Sequence, residues 1–423
     1  MEACLQCPAP LRFNRAAILL EERNAMPRFH TIDDLDVAGK RVLLRADLNV
    51  PVKDGKVTDL TRIERLAPTI ETLIARNAKV VVMSHFGRPK GPDAENSLRQ
   101  LVEPLSQAID GRTVHFATDC IGPEAAKIVA ALKPGEVALL ENLRFHPEEE
   151  KNDTGFAKQL AELGDLYVDD AFSAAHRAHA SIAALAHLLP NAAGKLMQAE
   201  LEALGAALEH PEHPVMALVG GSKVSTKLDL LKFIISKVDK LAIGGAMANT
   251  FLFAQGRGVG RSLCEKEMVE TAREVLAAAE KCGCAVILPD DAVTAEELKP
   301  GVVTRTVRVN AVPQNAMILD IGPDSVARIA AALAECKTLV WNGPVGAFET
   351  APFDRATAAI AKTVAELTQA KKLLSVAGGG DTVAALAAAG VEDKLTYVST
   401  AGGAFLEWLE GRELPGVAAL AVS

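Results

Sequence analysis

Two sets of residues in this chain have the types and spacing to hold anions. In the first half Arg45, Arg62, Arg88, Arg144 and Arg177 recur with His85, His176 and His179. A guanidinium fork meets two oxygens of a carboxylate or phosphate at once and stays charged at any ordinary pH. For one such residue a surface ion pair is the commoner explanation, but a convergent set focuses a positive field on a small, multiply charged anion. In the second half glycine takes over, in GGSK (220–223), GGA (244–246), DIGPD (320–324), WNGP (341–344) and GGGDT (378–382). A glycine-rich turn that opens a helix brings free amides and the positive end of the helix dipole against phosphate. Lys223 and Lys227, four apart, are expected to share a helical face and reach different phosphates of one polyphosphate. Asp381 supplies the kind of carboxylate that Mg2+ takes beside phosphate oxygens. Blander readings stay open: Asp-Thr ahead of an Ala-rich run is also an ordinary helix N-cap, and Glu349, a candidate for ribose hydroxyls, is also an ordinary solvated loop carboxylate.

Other chemistries lack their residues. There is no GxxxxGK[ST], and no GxGxxG follows a strand, which disfavours a P-loop NTPase and a nicotinamide-linked oxidoreductase. His176 and His179 have no spaced cysteine or carboxylate pair to complete a tetrahedral site, so zinc ranks below anion binding. The seven cysteines are scattered without CxxC spacing, the pattern of reduced thiols in a cytoplasmic protein. A net charge of −9 argues against nucleic acid or an anionic membrane as partner, and no apolar run reaches membrane-spanning length.

The elements that must position these residues are legible as alternation. Short β-branched or Leu-rich runs alternate with amphipathic stretches, the pattern of βαβ units and parallel sheets. One series predicts strands at 41–48, 79–84, 113–117, 136–142 and 166–172. A second predicts 215–221, 240–245, 285–290, 316–322, 338–343, 372–380 and 395–400. Ligands of open α/β sheets bind beyond the carboxyl ends of the strands, where the arginines of one series and the glycines of the other fall. A length of 423 residues, 49% hydrophobic and only 4% aromatic, suits two α/β domains. The stripe Leu196, Glu200, Leu201, Leu204 and Leu208 predicts a helix over 194–210 between them, closed by PEHP (211–214). The first domain is then 26–193 and the second 211–405, with residues 1–25 an extension outside the fold.

The ordered motifs RADLNVP (45–51), TRIERLAPTI (61–70), SHFGRP (84–89), LLENLRFHPEEEKND (139–153), DDAFSAAHRAHAS (169–181), GGSKVSTK (220–227), GGAMANTFL (244–252), VWNGPVGAFE (340–349), AGGGDT (377–382) and STAGGAFLEWL (399–409) resemble the phosphoglycerate kinase family over about 27–420. The resemblance implies a monomer of two Rossmann-like domains. The first would bind 3-phosphoglycerate or 1,3-bisphosphoglycerate and the second Mg-ADP or Mg-ATP, with 406–423 returning to the first. It further implies substrate contacts at Asp47, Leu48, Asn49, His85, Phe86, Gly87, Arg88, Arg144, His176, Arg177 and His179. Nucleotide contacts are implied at Gly221, Lys223, Lys227, Gly245, Asn342, Glu349, Gly379, Gly380, Asp381 and Thr382, with Arg62, Lys223 and Gly380 at the transferred phosphoryl and Mg2+ on Asp381. Glu64, Arg65, Asp169 and Ser173 depart from the usual family pattern, and Met26 opens a segment that looks like a family N-terminus.

Overall fold

The computed structural model describes residues 28–53 and 55–422, and the extension expected at 1–25 lies outside the described residues. The first series forms Arg41–Arg45 (β1), a short hairpin Val52–Lys53 and Lys56–Val57 (β2, β3), Lys79–Met83 (β4), Val114–Phe116 (β5), Val137–Leu139 (β6), Leu166–Asp169 (β7) and Asn191–Ala193 (β8). Six of these make one parallel sheet in the order β5-β6-β4-β1-β7-β8. Its strands read as unbroken apolar runs because both faces are covered. Leu43, Val81, Ala138 and Tyr167 point into one core, while Val42, Leu44, Val80, Val82, Leu139 and Val168 point into another.

The second series forms Val215–Val219 (β9), Lys240–Ile243 (β10), Ala285–Ile287 (β11), Asp291–Ala295 (β12), Arg305–Arg308 (β13), Met317–Ile321 (β14), Thr338–Asn342 (β15), Leu374–Gly378 (β16) and Tyr397–Ser399 (β17). Its parallel sheet runs β11-β10-β9-β15-β16-β17. Two α/β units with six-stranded parallel sheets are therefore present, as the alternation predicts. One expectation is corrected: 316–322 is not a strand of that sheet. Met317–Ile321 pairs antiparallel with β12, which also pairs antiparallel with β13, in a separate three-stranded layer. β8, β12, β13 and the β2/β3 hairpin have no counterpart among the predicted strands, and most predicted strands run past their true ends, as at 166–172 against Leu166–Asp169.

Helix α1, Thr61–Ala75, follows the hairpin and carries Arg62 and Arg65 one turn apart. Helix α2, Lys195–Leu208, stands where the sequence places the connecting helix. Its first turn is held by the N-terminal unit, since Asp170 Oδ1 accepts from the amides of Leu196 and Met197 at 2.8 and 3.0 Å, and the amide of Lys195 donates to Thr69 Oγ1 at 3.0 Å. Further along, Glu200 Oε2 accepts from the Tyr397 hydroxyl at 2.5 Å, reaching β17 of the second sheet. Met197, Leu201 and Leu204 sit in the core that joins Leu43 and Tyr167 of the first sheet to Val215, Ala217 and Val219 of the second. Near the C-terminus the chain returns to the first unit: the Gly416 amide donates to Ala175 O at 2.8 Å and Asn191 Nδ2 to Ala419 O at 3.3 Å. No helix among the described residues is long and apolar enough to cross a membrane.

Candidate active site

Each parallel sheet has one place where successive connections depart in opposite directions, β1/β7 in the first and β9/β15 in the second, and open α/β sheets bind ligands beyond the strand ends there. At β1/β7 the chain leaves Arg45 and Asp169 as paired strand ends and brings Asp47 to the rim. Asp47 Oδ2 accepts from Arg62 Nη1 at 2.8 Å and from Ser173 Oγ, and Oδ1 accepts from the Asn49 amide at 3.0 Å. Arg62 Nη1 also donates to Asn49 O at 2.9 Å, so this guanidinium is held beside the strand end with its side chain 38% exposed. Asn49 Oδ1 in turn accepts from the Gly87 amide at 2.9 Å, and Gly87 O accepts from Arg144 Nη1 at 2.6 Å. Gly87 has φ of 60°, and a Cβ there would stand 2.1 Å from Asn96 Oδ1, so a larger residue would be strained and would displace the Asn96 side chain. Arg177 is half-buried with Nε donating to His176 Nε2 at 3.1 Å, while Arg88 projects into solvent.

The histidines do not add positive charge to this cluster. Burial, then Arg45, Arg144 and Arg177, push His85 well below the usual histidine range, and Arg45 Nη2 lies 3.1 Å from its Nδ1. His179 is driven down to about 4 by burial and then by Arg144, Arg45 and Arg177. His176 is lowered too, by burial first and Arg177 second. All three are neutral at neutral pH, and the positive field expected of an Arg/His set comes from the arginines alone.

Several predicted residues sit behind the surface. Arg45 is fully buried and donates to Ser181 Oγ at 2.9 Å; Ser181 Oγ donates to Glu149 Oε1 at 2.6 Å. Leu48 is fully buried, with its amide on Ser84 Oγ at 2.9 Å, and the Phe86 amide donates to Asn142 Oδ1 at 3.1 Å. Asn142 also donates to Phe86 O at 2.7 Å, which ties the loop after β6 to the loop after β4. This role of Asn142 leaves no local signal in the sequence because its partner is 56 residues away.

At β9/β15 the two emerging loops touch through glycine. A Cβ on Gly220 would stand 2.0 Å from Pro344 O, and one on Gly343 would stand 2.2 Å from Gly220 O. Helix α3, Leu228–Ile234, starts only after Lys227, which corrects the expectation that Lys223 and Lys227 share a helical face. Lys223 is instead exposed in the loop, while Lys227 is half-buried with Nζ on Asn342 Oδ1. Burial lowers the Lys227 ammonium, against the opposing pull of Asp381 and Glu410. Gly245 opens helix α4, Gly245–Ala254, at φ 65°, packed so closely on Gly221 that a Cβ would lie 2.5 Å from its carbonyl oxygen.

The device expected of GGGDT is present. Gly379, at φ 96°, is the N-cap of helix α5, Gly380–Ala388, and the first backbone bond of that helix runs from the Val383 amide to Gly379 O at 3.0 Å. The amides of Gly380, Asp381 and Thr382 are thus those that a helix start leaves without an intrahelical partner. Asp381 lies in the first turn, exposed, and the cap is Gly379, so the Asp-Thr N-cap alternative is excluded. Gly380 has no neighbour within 4 Å of an added Cβ, so its bare backbone faces open space. Thr382 is buried and its Oγ1 accepts from the Gly343 amide at 2.7 Å, while Asn342 Nδ2 donates to Gly378 O at 2.7 Å. These two side chains lock the loops after β15 and β16 together. Beside them lies a cavity of about 380 Å3, rimmed by Gly221, Gly245, Glu349 and Asp381 and walled by Leu252 and Val309. A lining that combines glycine backbone and carboxylates with apolar side chains suits a nucleotide.

A family model described as phosphoglycerate kinase matches residues 32–412. The chain belongs to the phosphoglycerate kinase family. It is 61% identical over 393 residues to a phosphoglycerate kinase of Rhodospirillum centenum, covering 93% of this chain and 99% of that one. Among solved structures it resembles phosphoglycerate kinase from Coxiella burnetii, with a TM-score of 0.87 at 42% identity over 93% of this chain and 99% of the other. It also resembles that from Pyrococcus horikoshii, with a TM-score of 0.77 at 31% identity over 92% and 98%. Family membership makes the chain a phosphotransferase acting on a carboxyl group.

Proposed function

We propose that this chain catalyses reversible, Mg2+-dependent phosphoryl transfer between 1,3-bisphosphoglycerate and ADP, giving 3-phosphoglycerate and ATP. What supports the reading most is that the two sheet switch points carry opposite equipment: arginines on one, helix-terminal amides with lysines and a carboxylate on the other. The glycerate substrate lies along Asp47, Asn49, Arg62 and the arginines 88, 144 and 177. The nucleotide lies in the cavity beside Gly221 and Gly245, its ribose at Glu349 and its phosphates at Lys223, Lys227 and the start of α5. Asp381, an exposed oxygen donor beside three unpaired amides, fits the Mg2+ of the nucleotide, which when bound would neutralise phosphate oxygens.

In the direction that consumes ATP, the substrate carboxylate attacks the γ-phosphoryl. A carboxyl group with a pKa of about 3.5 is already ionised at neutral pH, so no general base is needed. The transferring group passes through a loose, anionic transition state that responds to positioning and charge neutralisation. Arg62 on the first unit, and Lys223 with the Gly380 amide on the second, neutralise it from opposite sides. In-line transfer between two units requires them to close, and α2, bonded to Asp170 at one end and Tyr397 further along, is the hinge. Closure also excludes water that would hydrolyse the acyl phosphate. Every group in the scheme comes from one chain, as a cytoplasmic monomer requires. The test is a coupled assay in which 3-phosphoglycerate and Mg-ATP form the acyl phosphate and a dehydrogenase with NADH reports it; no turnover under saturating substrates would overturn the proposal.

A further inference from the structure

The loops that leave β5 and β6 bring together a thiol, an imidazole and a carboxylate that the phosphotransfer scheme does not use. Asp119 and Cys120 follow β5, and His146 follows the short turn Leu143–Phe145 beyond β6. The donor atoms of Asp119, Cys120 and His146 all lie within 4.8 Å of one another. Zinc ligands at about 2.3 Å for sulfur and about 2.0–2.1 Å for nitrogen and oxygen stand roughly 3.5 Å apart around a tetrahedral ion, so rotamer-scale adjustment closes the set. We propose that Asp119, Cys120 and His146 form a site for a zinc-class divalent cation, with the fourth position left to water.

Two features favour an ion over a plain ion pair beside a packed thiol. The site has a built interior: Cys120 is fully buried, while the Asp119 and His146 side chains are 44% and 27% exposed and give the ion an entry. The imidazole is already aimed, since His146 Nε2 lies 2.8 Å from Asp119 Oδ1 and its ring packs on Phe156 with centroids 5.2 Å apart. On binding, the Cys120 thiol proton passes to solvent, His146 ligates through Nε2 as the neutral imidazole with its proton on Nδ1, and no electron moves. The donor set selects against Mg2+, which takes oxygen ligands, so this site does not compete for the nucleotide's ion. It clamps the β5 loop to the turn that carries Arg144.

The experiment is titration of the chelator-treated full chain with Co2+, which reports thiolate ligation through a sulfur-to-cobalt charge-transfer band. The expected result is one equivalent per chain with that band, undisplaced by excess Mg2+, and loss of the band in Cys120→Ser. Absence of the band at saturating Co2+, or its full retention in Cys120→Ser, overturns the proposal by assigning any cobalt to other groups. Because Cys120 is buried, His146→Gln and Asp119→Asn are measured in parallel with melting curves as the check on folding. Each should weaken Co2+ binding at least about 10–100-fold. Unchanged affinity in both folded variants also overturns it.

Discussion

Arg62→Ala separates what the arginine does for the fold from what it does for transfer. In the structure Arg62 makes one ion pair, with Asp47 at 2.8 Å, and one bond to Asn49 O at 2.9 Å. Its side chain is 38% exposed, so the pair contributes roughly 0–1 kcal/mol to stability. Asp47 keeps its bonds from Ser173 and the Asn49 amide after the substitution and is not orphaned. The melting temperature should therefore fall by no more than about 2–4 °C. An arginine that neutralises a phosphoryl group in transit supplies about 10^3–10^5 in rate, or about 4–7 kcal/mol. The coupled assay should accordingly show kcat down by at least about 10^3. The KM for ATP should stay within about twofold, because removing an interaction made only in the transition state leaves ground-state binding intact. A kcat within about tenfold of wild type, or an ATP KM that rises in step with the loss, would refute the assignment.

Gly379→Ala should cost about 1–3 kcal/mol in chemical denaturation, because alanine is strained at φ 96° and its Cβ would lie 2.6 Å from Asn342 Nδ2; a neutral effect would contradict the described cap. Gly380→Ala, which meets no neighbour, should leave stability nearly unchanged yet slow turnover by obstructing the phosphate; unchanged kcat and KM would remove Gly380 from the site. Burial pushes the Glu200 carboxyl from 4.5 up to about 7, against the bonds from Ser399 and Tyr397. The folded state thus keeps a proton that the unfolded state releases between those values, and this contribution to stability falls as pH rises through the window. Glu200→Gln should gain stability relative to wild type between about pH 5 and about pH 8, and a relative loss would show that the carboxylate is the form α2 prefers.

The architecture was legible because burial on both faces leaves its mark as unbroken apolar runs such as RVLLR and KVVVM, separated by amphipathic stretches. The antiparallel layer was not, because MILDI followed by PDSVARIAAALAE has the local look of a βα unit. Only its pairing with Asp291–Ala295, across a segment that carries β13, distinguishes it. In the site, position after a strand identified which loops meet, but not which atoms those loops spend on each other. Arg45 and Arg62 look alike as residues near strand ends, yet one is fully buried against Ser181 and His85 while the other remains half open beside Asp47. The charge state of the histidines was hidden for the same reason: it follows from burial next to arginines that come from loops far apart in the chain. Asp119 and His146 also meet only in the fold, which is why the scattered cysteines gave no metal-site spacing.

The central claim is that the two anions are held by different sheets, and calorimetry with each ligand alone tests it most directly. Mg-ATP and 3-phosphoglycerate are titrated separately into wild type, Asp381→Ala and Arg177→Ala. The account predicts that Asp381→Ala loses affinity for Mg-ATP by about tenfold or more, an interaction of about 1.4 kcal/mol, and keeps 3-phosphoglycerate binding within about twofold. Arg177→Ala should do the reverse. Comparable losses of both ligands in both variants would contradict the division of the site between the sheets.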